Sequence, residues 1–223
     1  MKNIAIVGSS SEIAEQFVRH SNTEEVSMYF VTSNKHHSYE STKTLVINDY
    51  IEKKNDIANY IKNLECSIVI FFNGYLAENR PIRFPTEKEI NTTFKINYLI
   101  PVELTKLINK ESQKVPKFIY ISSMAAVKPR FKNYIYGLCK SNLEKSIIDL
   151  ELSEYLIIRF GKVQTKMSKN HKNPPSTISA EKAGKIISNK LDDNGLVHAN
   201  FNLFIISKII KLLPKKIIEI IGL

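Results

Sequence analysis

Apolar runs of strand length alternate with helix-spaced segments along most of the chain. "NIAIVGS" (3–9) reads as a strand and "SEIAEQFVRHS" (11–21) as a helix, the apolar positions passing from a continuous run to one helical face. "VSMYFVTS" (26–33) and "TKTLVIN" (42–48) predict two more strands, and "IEKKNDIANYIKNL" (51–64) has helical spacing. "SIVIFFNG" (67–74) is apolar without alternation, as expected for a strand covered on both faces. A long helix is predicted around 87–110, followed by the strand "KFIYISS" (117–123). A helix ending near 150 and the strand "YLIIRFG" (155–161) come next. "PPSTISAEKAGKII" (174–187) reads as a loop closing into a helix, ahead of the strongly apolar tail 201–223.

Buried strands alternating with helices predict an α/β protein, a doubly wound parallel sheet in three α/β/α layers. Residues 1–200 form one domain in this reading, with 201–223 as an amphipathic helical tail. Such sheets bind ligands at the carboxyl ends of their strands. Gly8, Gly74, Ser123 and Gly161 all stand at predicted strand ends, and the chain has only seven glycines. Spending three of them there suits a ligand lying across the sheet edge.

A length of 223 residues accommodates a substantial core, and 43% hydrophobic with 24% charged residues is ordinary composition. No apolar run reaches the ~18 residues of a membrane span. "MKNIAIVGSS" lacks the apolar stretch of a signal peptide, so a cytoplasmic location is expected. Cys66 and Cys139 make no disulfide framework, and the five histidines are scattered, so no metal site is expected. The net charge of +10 asks for an anionic partner. Lysines spread without a basic–aromatic motif argue against nucleic acid. A phosphate-bearing cofactor, a phosphorylated substrate or an anionic membrane surface satisfies the same charge.

The densest chemistry lies in "SSMAAVKPRFKNYIYGLCK" (122–140). Tyr136 and Lys140 are one helical turn apart and share a face, while Ser123 comes from a strand end. A free tyrosine, with a pKa of about 10, is a poor base at neutral pH, and a neighbouring ammonium favours its phenolate. Ser123 can hydrogen-bond a carbonyl oxygen as negative charge develops on it. Tyr134 has Leu138 four residues on and so lacks a lysine partner. In "VGSSSEIA" (7–14), a glycine turn between strand and helix aims helix N-terminal amides at a phosphate.

In order and spacing, the motifs over residues 3 to about 190 resemble the short-chain dehydrogenase/reductase family. "GSSSEIA" resembles its G-x-x-x-G-x-G turn, "FNG" (72–74) its N-A-G strand end and "SSMAA" its serine motif. "YGLCK" matches Y-x-x-x-K, Asn97 in "KINYLIP" matches the central asparagine, and "RFGKVQTKM" (159–167) resembles R-P-G-x-V-x-T-x-M. Three positions depart from these patterns: Glu12 for glycine, Asn73 for alanine and Phe160 for proline. Glu12 adds negative charge near phosphate unless it turns away. The "SEIA" form, with Gly74, Leu76 and Glu78 as G-x-L-x-E, resembles a bacterial branch that includes decaprenylphosphoryl-2-keto-ribose reductases.

The resemblance implies a Rossmann-like NAD(P)-binding reductase domain whose catalytic residues are Ser123, Tyr136, Lys140 and Asn97. Tyr136 would protonate the substrate oxygen and Ser123 polarise it. Lys140 would tune the tyrosine and hold the nicotinamide ribose, and Asn97 would support a water-linked proton relay. The implied cofactor contacts are Gly8, Ser10, Ser11, Glu12 and Ile13 at the first turn, and Ser33, Asn34 and Lys35 after the second strand. Asp49 and Tyr50, Asn73 and Gly74, Tyr136 and Lys140, and Gly161, Val163 and Thr165 complete them. With no acid among Thr32, Ser33, Asn34 and Lys35, NADP(H) is favoured and NAD(H) is the alternative. The expected activity is reduction of a keto group on a nucleotide-, phosphate- or lipid-linked sugar, in bacterial surface polysaccharide biosynthesis. A general carbonyl or 3-ketoacyl reductase, or a non-catalytic NAD(P) sensor, are the alternatives. A homo-oligomer through the helices bearing Asn97 and Tyr136 is also implied. In the tail, Lys208, Lys211 and Lys215 fall on one helical face and Ile206, Ile209, Ile210 and Leu213 largely opposite, with Pro214 expected to kink or split the segment. The tail either packs on the domain or docks on an anionic membrane.

Overall fold

Seven parallel strands form the central sheet in the order β3-β2-β1-β4-β5-β6-β9. They are β1 (Lys2–Val7), β2 (Val26–Thr32), β3 (Thr44–Val46), β4 (Ile68–Phe71), β5 (Lys117–Ser123), β6 (Tyr155–Phe160) and β9 (Gly195–His198). A separate two-stranded pair joins β7 (Val163–Gln164) to β8 (Ile178–Ser179). The structure is a computed structural model that describes residues 2–21, 24–34, 40–77, 85–112, 114–169, 173–174, 176–214 and 217. The doubly wound α/β architecture expected from the alternation of elements is therefore present.

The core follows from the apolar character of both strand faces. Ala5 and Val7 turn to one side of the sheet with Val69, Phe71, Phe118, Tyr120 and Ile157. That side is covered by α2 (Lys54–Asn63), α4 (Ile100–Glu111) and α5 (Tyr134–Asp149) through Ile57, Leu104, Ile108 and Ile147. Ile4 and Ile6 turn to the other side with Ile68, Ile70, Ile119 and Ile158. There α1 (Glu12–His20), α6 (Ala180–Asn189) and α7 (Phe201–Leu212) supply Phe17, Ile187 and Leu203. Successive side chains of a strand point to opposite faces, so a continuous apolar run is what a sheet between two helical layers needs. Each such side chain taken fully from water contributes about 1.5–3 kcal/mol.

Three expectations are corrected by the fold. The third strand shrinks to Thr44–Val46 at the sheet edge. The long helix around 87–110 is two helices, α3 (Glu87–Phe94) and α4, joined by a wider π-type turn at Lys95–Leu99. The strand β9 was not foreseen: "GLVH" is short, half-buried and opens on a glycine, yet it completes the open edge of β6 from Leu156↔Gly195 to Arg159↔His198. In the tail, α7 ends at Leu212 with Pro214 just beyond and Ile217 helical again, so the proline splits the segment as expected.

The polar and apolar faces of α7 also differ from the amphipathic split expected. Leu203, Ser207 and Ile210 are buried, but Phe201, Ile205, Ile209 and Leu212 are exposed beside Lys208 and Lys211. Lys215 and Lys216 lie outside the described residues. Lys128 Nζ donates to the Leu213 carbonyl at 2.6 Å, tying the loop after β5 to the end of α7. Among the described residues no helix is long and apolar enough to cross a membrane.

Candidate active site

A cavity of about 1820 Å³ follows the carboxyl ends of the strands. Its wall includes Gly8, Ser10, Ser11, Glu12 and Ile13 from the first turn, and Ser33 and Asn34 after β2. Asp49, Tyr50, Asn73, Gly74, Gly161, Val163 and Thr165 also line it, as do Ser123, Tyr136 and Lys140. Lys35 and Glu78 lie outside the described residues. The structure thus brings together in one cavity every described residue predicted to touch a cofactor.

The chain runs outward from β1 to β2 and β3, then returns to place β4 on the other side of β1, so the strand order reverses between β1 and β4. Ligands of doubly wound sheets sit at this reversal. Gly8 lies there in the left-handed region, with φ +82°, and a Cβ on it would stand 2.9 Å from the Asn73 backbone nitrogen. Only glycine combines that torsion with that approach. Ser11 precedes α1 in extended conformation and its side chain makes no capping bond. Asn73 Oδ1 is buried without a partner. A turn with no side chain, helix amides uncapped by Ser11 and an orphaned amide oxygen fit the diphosphate and ribose of a dinucleotide.

Ser123 ends β5, and its Oγ accepts a hydrogen bond from Ala125 N at 3.1 Å, which starts a short 3₁₀ turn at Met124–Ala126. Tyr136 and Lys140 project from successive turns of α5. The Ser123 side chain favours the phenolate of Tyr136. Lys140 is 4% exposed, and its ammonium donates to the Ile121 carbonyl at 2.9 Å, 5.9 Å from the centre of the Tyr136 ring. Burial pushes the Tyr136 phenol up to about 12, against the lowering effect of Ser123. Burial also brings the Lys140 ammonium down to about 8, opposed by Cys139 and Glu144. This corrects the expectation of a lowered tyrosine. Two groups desolvated together each favour their neutral form, and the lysine proton is already engaged by a carbonyl.

Asn97 does not reach the cavity wall. It is fully buried in the π-type turn, its Nδ2 donating to the carbonyls of Tyr75 (2.7 Å) and Thr93 (2.9 Å). Its Oδ1 accepts from Tyr75 N at 3.3 Å. Both ends of the amide therefore pin the segment that carries Gly74, and the side chain is a positioning group with no donor left for a relay. Asp49 is similarly engaged. Its Oδ1 accepts from Ile51 N and Glu52 N, and Oδ2 is paired with Lys95, whose ammonium holds the carboxyl below its usual range. Glu12 turns away from the helix axis, its carboxylate accepting from Lys166 N at 2.5 Å, so the acid in place of the second glycine closes a bridge across the rim.

Some of the site escaped the sequence reading. Behind Lys140, Glu144 is 4% exposed and accepts from Ser122 Oγ at 2.6 Å and from Arg159 Nε at 2.9 Å and Nη2 at 2.5 Å. This pair locks α5 onto β5 and β6, where Ser122 and Arg159 are register partners. The signal was present: Tyr136, Lys140 and Glu144 follow one another at four-residue steps. Gly137 was also passed over. A Cβ there would lie 2.8 Å from the Ala125 carbonyl and 3.1 Å from Pro129 Cα, so its absence lets α5 close on the serine turn. Lys128, Arg130, Asn133 and Met167 line the cavity too, as do Leu203, Ile206 and Ile210 of α7.

The strand order and the placement of these residues define the fold of the short-chain dehydrogenases. A short-chain dehydrogenase from Burkholderia cenocepacia J2315 in complex with NADP superimposes with a TM-score of 0.79 at 14% identity, over 96% of this chain and 100% of that one. A 3-oxoacyl-[acyl-carrier protein] reductase from Brucella melitensis in complex with NAD matches at 0.73 and 14% identity, over 92% and 98%. The aldohexose dehydrogenase of Thermoplasma acidophilum matches at 0.71 and 11%, over 91% and 94%. At these identities the likeness is one of fold. No protein-family model matches the chain.

Proposed function

We propose that this protein is an NADPH-dependent oxidoreductase that reduces a keto group, carried on a nucleotide-, phosphate- or lipid-linked sugar. The observation that carries the reading is the meeting of Ser123, Tyr136 and Lys140 in the cavity that also holds the Gly8–Asn73 crevice. Structures of the same fold were solved with NADP, NADPH and NAD. The second strand ends in Thr32, Ser33 and Asn34 with no acid to repel a 2′-phosphate, which favours NADPH. Gly8, the start of α1, Asn73 and Lys140 would hold the dinucleotide, which supplies a hydride when bound. Tyr136 gives its proton to the carbonyl oxygen, and Ser123 hydrogen-bonds the same oxygen as charge grows on it. Lys140 stabilises the phenolate left behind. Net charge and polar wall residues support a phosphorylated sugar, whereas Ile206, Ile210 and Met167 on the same wall favour a second reading, a general carbonyl or acyl ketone reductase.

The test is NADPH oxidation against nucleotide-linked 4-keto sugars, pentulose phosphates, a lipid-linked 2-keto pentose and an acetoacetyl thioester. Turnover of the sugars alone supports the first reading, and of the thioester alone the second. Absence of NADPH binding would overturn both. The pH profile carries a separate expectation. A phenol raised to about 12 keeps its proton through neutral pH, so ketone reduction should stay level from pH 6 to near 8. The reverse alcohol oxidation needs the phenolate and should climb with pH above neutrality. Initial rates in both directions measure this, and an oxidation rate flat from pH 6 to 9 would contradict it.

The outer side of α7 supports peripheral membrane contact as an additional property. Phe201 is 73% and Leu212 86% exposed, with Lys208 and Lys211 beside them. Co-flotation with anionic but not neutral vesicles is expected, and its loss in Phe201→Ser/Leu212→Ser is the check.

A further inference from the structure

The wall of the cavity between Ser123 and Tyr136 carries two groups that the proton-transfer chemistry leaves unused. Arg130 is half-buried on that wall, and among the described residues its guanidinium has no hydrogen bond or ion pair. Burial without a counter-charge already weighs against its protonated form. Three residues on, Asn133 lines the same wall with its Oδ1 buried and unpartnered. A desolvated cation and an orphaned acceptor are both costly, and the cost persists in a fold only where something answers it.

The surroundings say what answers the cation. Residues 112–143 and 155–180, the two segments that build this end of the cavity, contain no Asp or Glu. Lys128, Lys162 and Lys166 line the same cavity. Of the three carboxylates that line the cavity, Glu12, Glu15 and Asp49, Glu12 accepts from Lys166 N and Asp49 is paired with Lys95. Among the described residues none of the three is paired with Arg130. The position is also built to be held. Pro129 packs against Gly137 of α5 so closely that a Cβ there would meet its Cα at 3.1 Å, and Lys128 is tied to the Leu213 carbonyl. Arg130 thus leaves a braced loop at a fixed distance along the wall from Tyr136.

We propose that Arg130 and Asn133 form a subsite for a phosphorylated sugar, the guanidinium binding a phosphoryl group and the Asn133 carbonyl accepting from a hydroxyl on the same ligand. Arginine presents a planar fork that pairs two phosphoryl oxygens at once, and the basic wall suits a dianion better than a single carboxylate. A hydroxyl beside the phosphate is what a buried amide acceptor requires. The subsite rests on the oxidoreductase reading of the cavity, whose keto substrate it would orient with its carbonyl toward Tyr136.

The experiment is calorimetric titration of the full chain saturated with NADP⁺, so that the cofactor crevice is filled. The probes are ribose 5-phosphate, a monoester, and UDP-glucose, a diphosphate diester, with ribose as the uncharged control. Wild type should bind one phosphorylated probe at least tenfold more tightly than ribose, and which one it prefers identifies a free or a nucleotide-linked sugar phosphate. Arg130→Gln should lose about 10- to 100-fold of that affinity with NADP⁺ binding unchanged. Arg130→Lys should recover part of it, a point charge without the fork. Phosphorylated probes no tighter than ribose, or an Arg130→Gln variant that binds them as wild type does, would overturn the subsite. Failure to bind NADP⁺ overturns the oxidoreductase reading instead, and the same titrations on the unloaded chain then decide the role of Arg130 separately.

Discussion

Tyr136→Phe should lower kcat for ketone reduction by about 10²- to 10⁴-fold while leaving NADPH affinity nearly unchanged. The ring stays, so the packing of α5 against the serine turn around Gly137 stays with it. What goes is the hydroxyl that carries the transferable proton, beside Ser123 in the cavity wall. A residual rate remains because Ser123 still hydrogen-bonds the carbonyl oxygen. Folding stability should change little, since one hydroxyl is lost and the Ser123 hydroxyl left behind can turn toward the cavity. Single-turnover reduction alongside a fluorescence titration of NADPH separates the two effects. Full activity in the variant would place the proton donor elsewhere and remove the main support for the mechanism.

Glu144→Ala carries the largest expected effect on stability, a loss of about 3–5 kcal/mol. The carboxylate accepts three hydrogen bonds from Ser122 and Arg159, with side-chain exposure of 5% for Glu144 and 10% for Arg159. Removing it strands a buried guanidinium, and that desolvated charge, more than the lost attraction, sets the magnitude. Against a total stability of about 5–15 kcal/mol, the loss should move the urea midpoint far down. Glu144→Leu combined with Arg159→Met should recover most of it, because an apolar pair leaves no unpaired charge. The variant also has a chemical signature. Glu144 favours the charged form of Lys140, so its loss should bring the ammonium still lower and move the alkaline limb of reduction to lower pH. A midpoint shift without that change in the profile would make Glu144 purely structural.

Both predictions show how far the residues could be read in isolation. The strands β1, β4, β5 and β6 were legible because each is a continuous apolar run stopped by a glycine or a serine, a pattern with few other solutions. Tyr136 and Lys140 were legible because helix geometry alone puts them on one face. Glu144 lay on the same stripe and was missed, since nothing local says that the fourth residue on finds an arginine from another strand. Asn97 was read as part of one long helix, whereas it lies in the π-type turn that divides it. Its amide is consumed by Tyr75 and Thr93, a bonding pattern that exists only once the segment after β4 lies across the π-type turn.

By itself the sequence determined the layered α/β fold, the line of ligand-facing strand ends and the identity of the serine, tyrosine and lysine that meet there. These follow from local periodicity and chain geometry, which short-range sterics dictate. The tertiary structure alone decided that "GLVH" becomes the seventh strand, that α7 walls the cavity through Ile206 and Ile210, and that Arg130 has no ion pair among the described residues. It also decided the direction in which Tyr136 titrates. Edge pairing, cover and the balance of burial against charge are sums over segments far apart in the chain, and no window of neighbouring residues contains them.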